Sequence, residues 1–188
     1  SSDGKYQEQI TFPEQNKSEI KRETCSVTTA NGRIVAGLAS EEEIEIRRGM
    51  VVVCDAAGNV LKAISTILPE YIADIRGEMV AVSSPLASKV CVYDLQSGRE
   101  TLNLDIEMVG GIIYDEQSDC LLIGRMTERG ADGNAVAGSG VIEQYCRTTG
   151  ALVGRLATGL QAYMGMCFTN DGILAVADTS SVKLYRLS

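Results

Sequence analysis

Short apolar runs alternate with polar turns along the whole chain. In three places an apolar run, a polar turn closing on glycine and a second apolar run follow one another, with the glycines at Gly58, Gly98 and Gly150. Glycine adopts positive φ at no steric cost, so each pattern predicts a β-hairpin. The three glycines are 40 and 52 residues apart, which indicates a structural repeat.

A second set of hairpins precedes the first set in each repeat. Its turns fall at Gly32, at Gly77, near Ser118 and at Gly172, between runs rich in valine, isoleucine and leucine. Two of these turns are Asn-Gly or Asp-Gly, the strongest short-range hairpin signals. Each repeat therefore contains four strands, named a to d in chain order, with an a–b hairpin and a c–d hairpin.

Four antiparallel strands repeating at such a period predict an all-β chain that folds as a β-propeller of about four four-stranded blades. We expect one propeller domain over residues 1–188. The predicted repeats span about residues 25–66, 71–106, 109–158 and 163–188. A β-sandwich, or a part of a larger propeller, is the structural alternative.

The last predicted repeat has no strand d, which would leave an open sheet edge. Residues 6–12 have the length and alternation of a strand, so we expect this N-terminal strand to complete the last blade and close the ring. The other possibility is a homo- or hetero-oligomer, in which a second chain completes the propeller.

Two segments resemble known propeller repeats. Residues 89–100 resemble strand c of a WD-repeat blade, and residues 165–178 resemble an NHL-repeat blade. The chain has no histidine and no tryptophan, so the Gly-His and Trp-Asp signatures of WD repeats are absent, and so is the NHL tripeptide. The resemblance implies a propeller that binds a partner.

The charge balance narrows the range of partners. Lysine and arginine total 17 against 25 aspartate and glutamate residues, for a formal net charge of −8. Such a surface repels phosphate backbones and anionic lipids, so we expect neither a nucleic-acid nor a membrane partner. Six cysteines without a close pair predict buried free thiols and a cytoplasmic protein rather than a disulfide framework or a zinc site.

Few catalytic mechanisms remain open to this chain. Without histidine, the usual Ser-His-Asp and Cys-His arrangements and histidine-ligated metals are excluded. Neither a GxxxxGK[ST] loop nor a GxGxxG loop after a strand is present. We therefore expect no cofactor.

Two long insertions between strands b and c hold the first candidate site residues. Each insertion is either a solvated extension of its hairpin or a binding loop. If the first insertion is a binding loop, its acidic run would bind a basic peptide. Both would emerge on the same face of the propeller. The candidates are Glu41, Glu42, Glu43, Arg47 and Arg48 in the first insertion, and Arg125, Arg129 and Asp132 in the second.

Four large side chains precede or begin the central a strands. They are Tyr71, Met108, Tyr163 and Met164. Arranged around a channel mouth they would either anchor a peptide or pack between blades.

The function predicted from these features is a non-enzymatic module that binds a protein or peptide, as part of a larger protein or assembly. The alternative is a metal-dependent, lactonase-like hydrolase with the same fold, which would need several carboxylates converging on the channel. The acidic residues considered as metal ligands are Asp55, Asp94, Asp115 and Asp178. Asp178 ends an inner strand, and it is the only one of the four that we expect as a ligand.

Overall fold

The computed structural model of the chain describes residues 23–30, 32–161, 165–179 and 181–187. These residues form four antiparallel sheets in a four-bladed β-propeller, with one short helix. The fold predicted from the repeats is therefore confirmed. The predicted N-terminal strand at residues 6–12 lies outside the described residues.

Strands follow chain order within every blade, from the centre outwards. The first blade consists of β1 (Glu23–Ala30), β2 (Arg33–Ala39), β3 (Arg48–Cys54) and β4 (Val60–Ile67), with helix α1 (Glu41–Glu45) between β2 and β3. The second blade consists of β5 (Tyr71–Ile75), β6 (Met79–Ser84), β7 (Lys89–Asp94) and β8 (Glu100–Asp105). The third consists of β9 (Val109–Asp115), β10 (Cys120–Met126), β11 (Gly140–Cys146) and β12 (Leu152–Leu160). The fourth blade contains β13 (Met166–Phe168), β14 (Ile173–Asp178) and β15 (Ser181–Arg186).

The strand order explains which loops share a face. Because the strands run alternately up and down, the a–b and c–d turns open on one face of the propeller and the b–c loops and d–a links on the other. The a strands line the centre, where β1 packs against β5, β5 against β9, and β9 against β13.

Apolar side chains on both sheet faces join successive blades. On β10, Leu121 and Ile123 point to the core shared with the second blade, and Leu122 between them points to the core shared with the fourth. All three side chains are fully buried. A strand that is covered on both faces needs apolar residues at every position, which is why β10 has no polar–apolar alternation.

Glycine is required where the c–d turn of the third blade meets the second blade. Gly150 has φ of 70°. A Cβ atom there would lie 2.5 Å from the Cδ2 atom of Leu104 on β8, so a side chain would be strained by the backbone conformation and would also have to displace Leu104. In the a–b turn of the same blade Asp119 adopts φ of 54°, and its carboxylate is held by Arg147.

The prediction that every cysteine is a buried thiol is correct only in part. The buried free thiols among the described side chains are Cys54, Cys91 and Cys120. Cys167 is exposed, so the prediction is wrong there. Its neighbours Met166 and Phe168 pack into the core shared with the third blade, and side chains alternate along a strand, so Cys167 points the other way.

We expect Leu122→Ala to lower the free energy of unfolding by about 2–5 kcal/mol, because it empties a fully enclosed position between two blades. Urea denaturation measures this change. The matched control is Leu61→Ala, since Leu61 on β4 is 56% exposed and its truncation should change stability by less than about 0.5 kcal/mol. Equal losses in the two variants would contradict this assignment of the core.

Candidate functional site

The b–c loops and d–a links make up one face of the propeller, called here the b–c face. It includes α1, the loop at residues 85–88 in the second blade and the loop at residues 127–139 in the third. Every described candidate residue from the sequence lies on this face or in a strand that leads to it.

The first b–c loop folds as a single helical turn, not as an extension of the hairpin. Ser40 is the N-cap of α1: its hydroxyl accepts from the amide of Glu43 at 3.2 Å, and the Glu43 carboxylate accepts from the amide of Ser40 at 2.8 Å. This reciprocal pair is a capping box, and the pattern Ser-x-x-Glu was the missed sequence signal. Glu43 therefore serves the helix cap, while Glu42 and Glu45 are exposed to solvent. The side chain of Glu41 lies outside what the structure describes.

Arg47 and Arg48 line a groove of about 460 Å³ between the first and second blades. One wall is the end of β4, at residues 65–67, and the other comes from the second blade, with Lys89, Tyr93 and the Ala87 loop among the lining residues. The structure therefore brings together two candidates that are neighbours in sequence with residues about 20 to 50 positions away, in a place where two blades meet. We call this the interblade groove.

The cations of the groove differ in how they are paired. Lys89 donates to Asp105 at 2.8 Å and to Asn103 at 3.0 Å. Neither Arg47 nor Arg48 forms an ion pair within the described part of the chain. The two guanidinium groups are exposed and remain available to a ligand.

Exposed apolar side chains flank these arginines. Ile46 lines the groove and is 66% exposed, and Leu86 of the neighbouring b–c loop is 52% exposed. Ile44 on α1 is also exposed. Large apolar side chains gathered beside a groove are a common mark of a binding surface, whereas single ones are not.

The candidates of the third b–c loop hold the loop itself. Arg129 donates to the carbonyl oxygen of Gly133 at 3.1 Å, and the Asp132 carboxylate accepts from the Asn134 amide at 3.0 Å. Arg125, on β10, donates from Nε to Glu143 at 2.7 Å. These contacts give each of the three side chains a structural role.

The candidates around the channel mouth differ in how exposed their side chains are. Met108 is buried and has φ of 53°, so it packs in the d–a link and does not present a surface anchor. Tyr71 begins β5 and is half-buried. Tyr163 and Met164 lie outside the described residues.

A buried carboxylate in the third blade organises several of these charges. Glu143 on β11 is 1% exposed. Its carboxylate accepts from Arg125 and Arg155, each at 2.7 Å, and from the Tyr145 hydroxyl at 2.8 Å. Burial alone would raise the pKa of Glu143, but these hydrogen bonds outweigh it and lower the pKa to about 2. Sequence reasoning missed this cluster because its members come from three strands.

A second hollow lies on the opposite face, among the a–b turns of the second, third and fourth blades. It measures about 600 Å³, and Tyr114 and Phe168 are among its lining residues. Its carboxylates serve turns: Asp74 accepts from the Gly77 amide at 2.8 Å, and Asp115 accepts from the Gln117 amide at 3.1 Å. Burial raises the pKa of Asp74.

The carboxylates considered as metal ligands do not converge. Asp55 and Asp94 accept from backbone amides of their own c–d turns. Asp178 accepts from the Gln161 amide at 2.7 Å and pairs with Lys183 at 2.6 Å. Among the described residues, no group of three or more cysteine or acidic side chains is placed to hold a metal ion. Nor is any helix among those residues long and apolar enough to cross a membrane.

Comparison with known proteins identifies the fold of the chain but not its family. No family profile and no curated protein matches the chain. Among solved structures, the chain is similar to the computationally designed Ika4 protein, with a TM-score of 0.62 and 14% identity over 97% of this chain and 100% of that one. It is also similar to Kuenenia stuttgartiensis hydrazine synthase, with a TM-score of 0.61 and 12% identity over 93% of this chain and 49% of that one.

A third similar structure is the WD40 β-propeller domain of Doa1, with a TM-score of 0.56 and 9% identity. That match covers 88% of this chain and 64% of the other. The chain thus spans about half of the hydrazine synthase chain and slightly less than two thirds of the Doa1 chain. At these identities the likeness is one of fold: the chain is a β-propeller, with a WD40 propeller among its structural neighbours.

We expect Glu143→Gln to lower the free energy of unfolding at pH 7 by about 3 kcal/mol, because it leaves Arg125 partly buried without its anion. Arg155 is 47% exposed, which keeps the loss at the low end for a buried pair. The folded-state pKa lies below the ordinary 4.5, so this stabilisation is complete above pH 4.5 and is lost as pH falls towards 2. Urea titrations between pH 7 and pH 2 should therefore show a steeper acid loss for the wild type than for the variant.

The control for this measurement is Glu116→Gln. Glu116 is 78% exposed and lies 3.6 Å from Arg76, so its loss should change stability by less than about 0.5 kcal/mol at any pH. If the two variants had the same acid profile, Glu143 would not carry the pH dependence.

Proposed function

We propose that the chain is a non-enzymatic interaction module that binds a protein or peptide on its b–c face. The observation that carries this proposal is the interblade groove, where the exposed Ile46 lies together with two arginines that have no ion-pair partner among the described residues. The acidic run on α1 and the loop at residues 127–139 would then be the rim of the surface.

The physical case rests on what the groove offers a partner. Burying Ile46 and Leu86 removes apolar surface from water, which favours association at roughly 25 cal/mol per Å² before the costs of binding. Arginine is among the residues that contribute most at interfaces, because its planar guanidinium forms paired hydrogen bonds. A volume of about 460 Å³ is in the range of pockets that hold a few side chains.

The finer family assignment belongs to the same proposal. The segment resembling a WD-repeat strand c, residues 89–100, forms β7, the following turn and the start of β8. Its first residue, Lys89, and its last, Glu100, both line the groove. We therefore favour a WD-like propeller that uses this face over an NHL-like one. We also favour it over a metal-dependent hydrolase, because the described residues contain no cluster of metal ligands.

A display library of random peptides, selected on the immobilised protein, tests the proposed face. We expect enriched peptides to bind the wild type and to lose binding to the double variant Ile46→Ser, Arg48→Ser, because it removes one apolar and one charged contact of the groove. Affinity measured by biolayer interferometry should fall about tenfold or more.

The matched control is Leu61→Ser, Arg99→Ser, which changes the same residue types at exposed positions beside the c–d turns of the opposite face. It should bind the selected peptides as the wild type does. Loss of binding in the control but not in the groove variant would place the binding surface on the other face, and a selection without any enriched peptide would argue against the proposal.

A further inference from the structure

The interblade groove is a local cationic site on an acidic protein. The chain carries a formal net charge of −8. Yet the charged residues that line the groove are Arg47, Arg48 and Lys89 against Glu100 alone. Lys89 is already neutralised by Asp105, whereas the two arginines have no ion-pair partner among the described residues. With Lys89 paired, the two arginines outnumber the one remaining carboxylate, Glu100, so the groove keeps a net positive charge.

We propose that the interblade groove binds a short acidic segment of a partner protein, in which aspartate or glutamate side chains pair with Arg47 and Arg48 and an apolar side chain packs against Ile46. This inference rests on the proposed function, and it names the chemistry of the partner at the same face. It differs from the sequence-based hypothesis of a basic peptide, which relied on the acidic run of α1.

The backbone around the two arginines is held in place before any partner arrives. Arg47 has φ of 56°, and its carbonyl oxygen accepts from the Leu68 amide at 3.0 Å. Arg48 is the first residue of β3 and pairs with Ile67 of β4. Across the groove, the Tyr93 hydroxyl accepts from the Ile67 amide at 3.1 Å, which ties the second blade to the first. Such preorganisation reduces the entropy lost on binding.

Carboxylates fit this site better than a nucleic acid does. The geometry of a guanidinium suits carboxylate and phosphate equally well, so the residues around the arginines determine which of the two binds. Ile46 lines the groove next to the arginines and is largely exposed, so it would pack against an apolar side chain of a peptide. The aromatic ring in the groove, Tyr93, is buried with its hydroxyl bonded, so no exposed ring is there to stack a base.

Fluorescence anisotropy with three labelled peptides tests this inference. The acidic probe is Asp-Asp-Leu-Ile-Asp-Glu, its uncharged counterpart is Asn-Asn-Leu-Ile-Asn-Gln, and the basic one is Lys-Lys-Leu-Ile-Lys-Arg. We expect the acidic peptide to bind about tenfold or more tightly than the other two, with an affinity that falls as salt is added. The double charge reversal Arg47→Glu, Arg48→Glu should weaken binding of the acidic peptide about tenfold or more relative to the wild type.

Two controls separate the groove from the overall charge and from misfolding. Arg99→Glu, Arg186→Glu makes the same change in net charge at exposed positions outside the groove, and it should leave the affinity within about twofold. Arg47→Gln, Arg48→Gln removes the charges without adding like ones, and it should lose binding while the urea midpoint stays that of the wild type.

The outcomes distinguish this inference from the proposed function. If the basic or the uncharged peptide binds the b–c face as well as or better than the acidic one, the acidic partner is wrong and the interaction face stands. Tighter binding of a phosphoserine peptide or a single-stranded oligonucleotide, in competition with the acidic probe, would also overturn the choice of occupant. If the acidic peptide binds but Arg99→Glu, Arg186→Glu weakens it equally, the groove is not its site.

Discussion

Apolar packing between successive blades is the interaction on which this protein depends. Within the propeller, Val90 and Val92 of the second blade meet Leu121 and Ile123 of the third in one core, and Leu122 turns to the next core along. A single four-stranded sheet has two faces to cover, so each blade stabilises its neighbour and relies on it in turn. The centre of each sheet can therefore vary little, whereas the loops at either end carry no such constraint.

The same packing determines how charge is used. Glu143 is buried on β11 of the third blade. Its carboxylate accepts hydrogen bonds from Arg125, Arg155 and Tyr145. In contrast, Arg47 and Arg48 line the groove between the first and second blades, and the described residues supply no carboxylate to pair with them. A protein with excess negative charge thus places two arginines at this groove, which is why we propose it, and not the larger, turn-lined hollow, as the binding surface.

The candidate site could be predicted only in outline. Placing the b–c insertions on a common face follows from counting strands, and Arg47 and Arg48 were among the residues named. The capping box of Ser40 and Glu43 is a local pattern that the sequence does contain. The sequence did not show that Arg125 serves a buried carboxylate, or that Tyr93 and Ile67 complete a groove with the two arginines. Those partners are separated by up to several tens of residues, and no periodicity in the chain encodes which blade faces which.

What the sequence by itself determined is the strand plan. Turn glycines at a regular spacing and apolar runs of strand length specify four-stranded repeats, because local backbone geometry and burial on both faces leave few alternatives. Only the tertiary structure decided which side chains remain free for a partner. Whether an arginine is available depends on whether a carboxylate lies within hydrogen-bonding distance in space, and that is fixed by how the blades pack against each other and not by the order of residues along the chain.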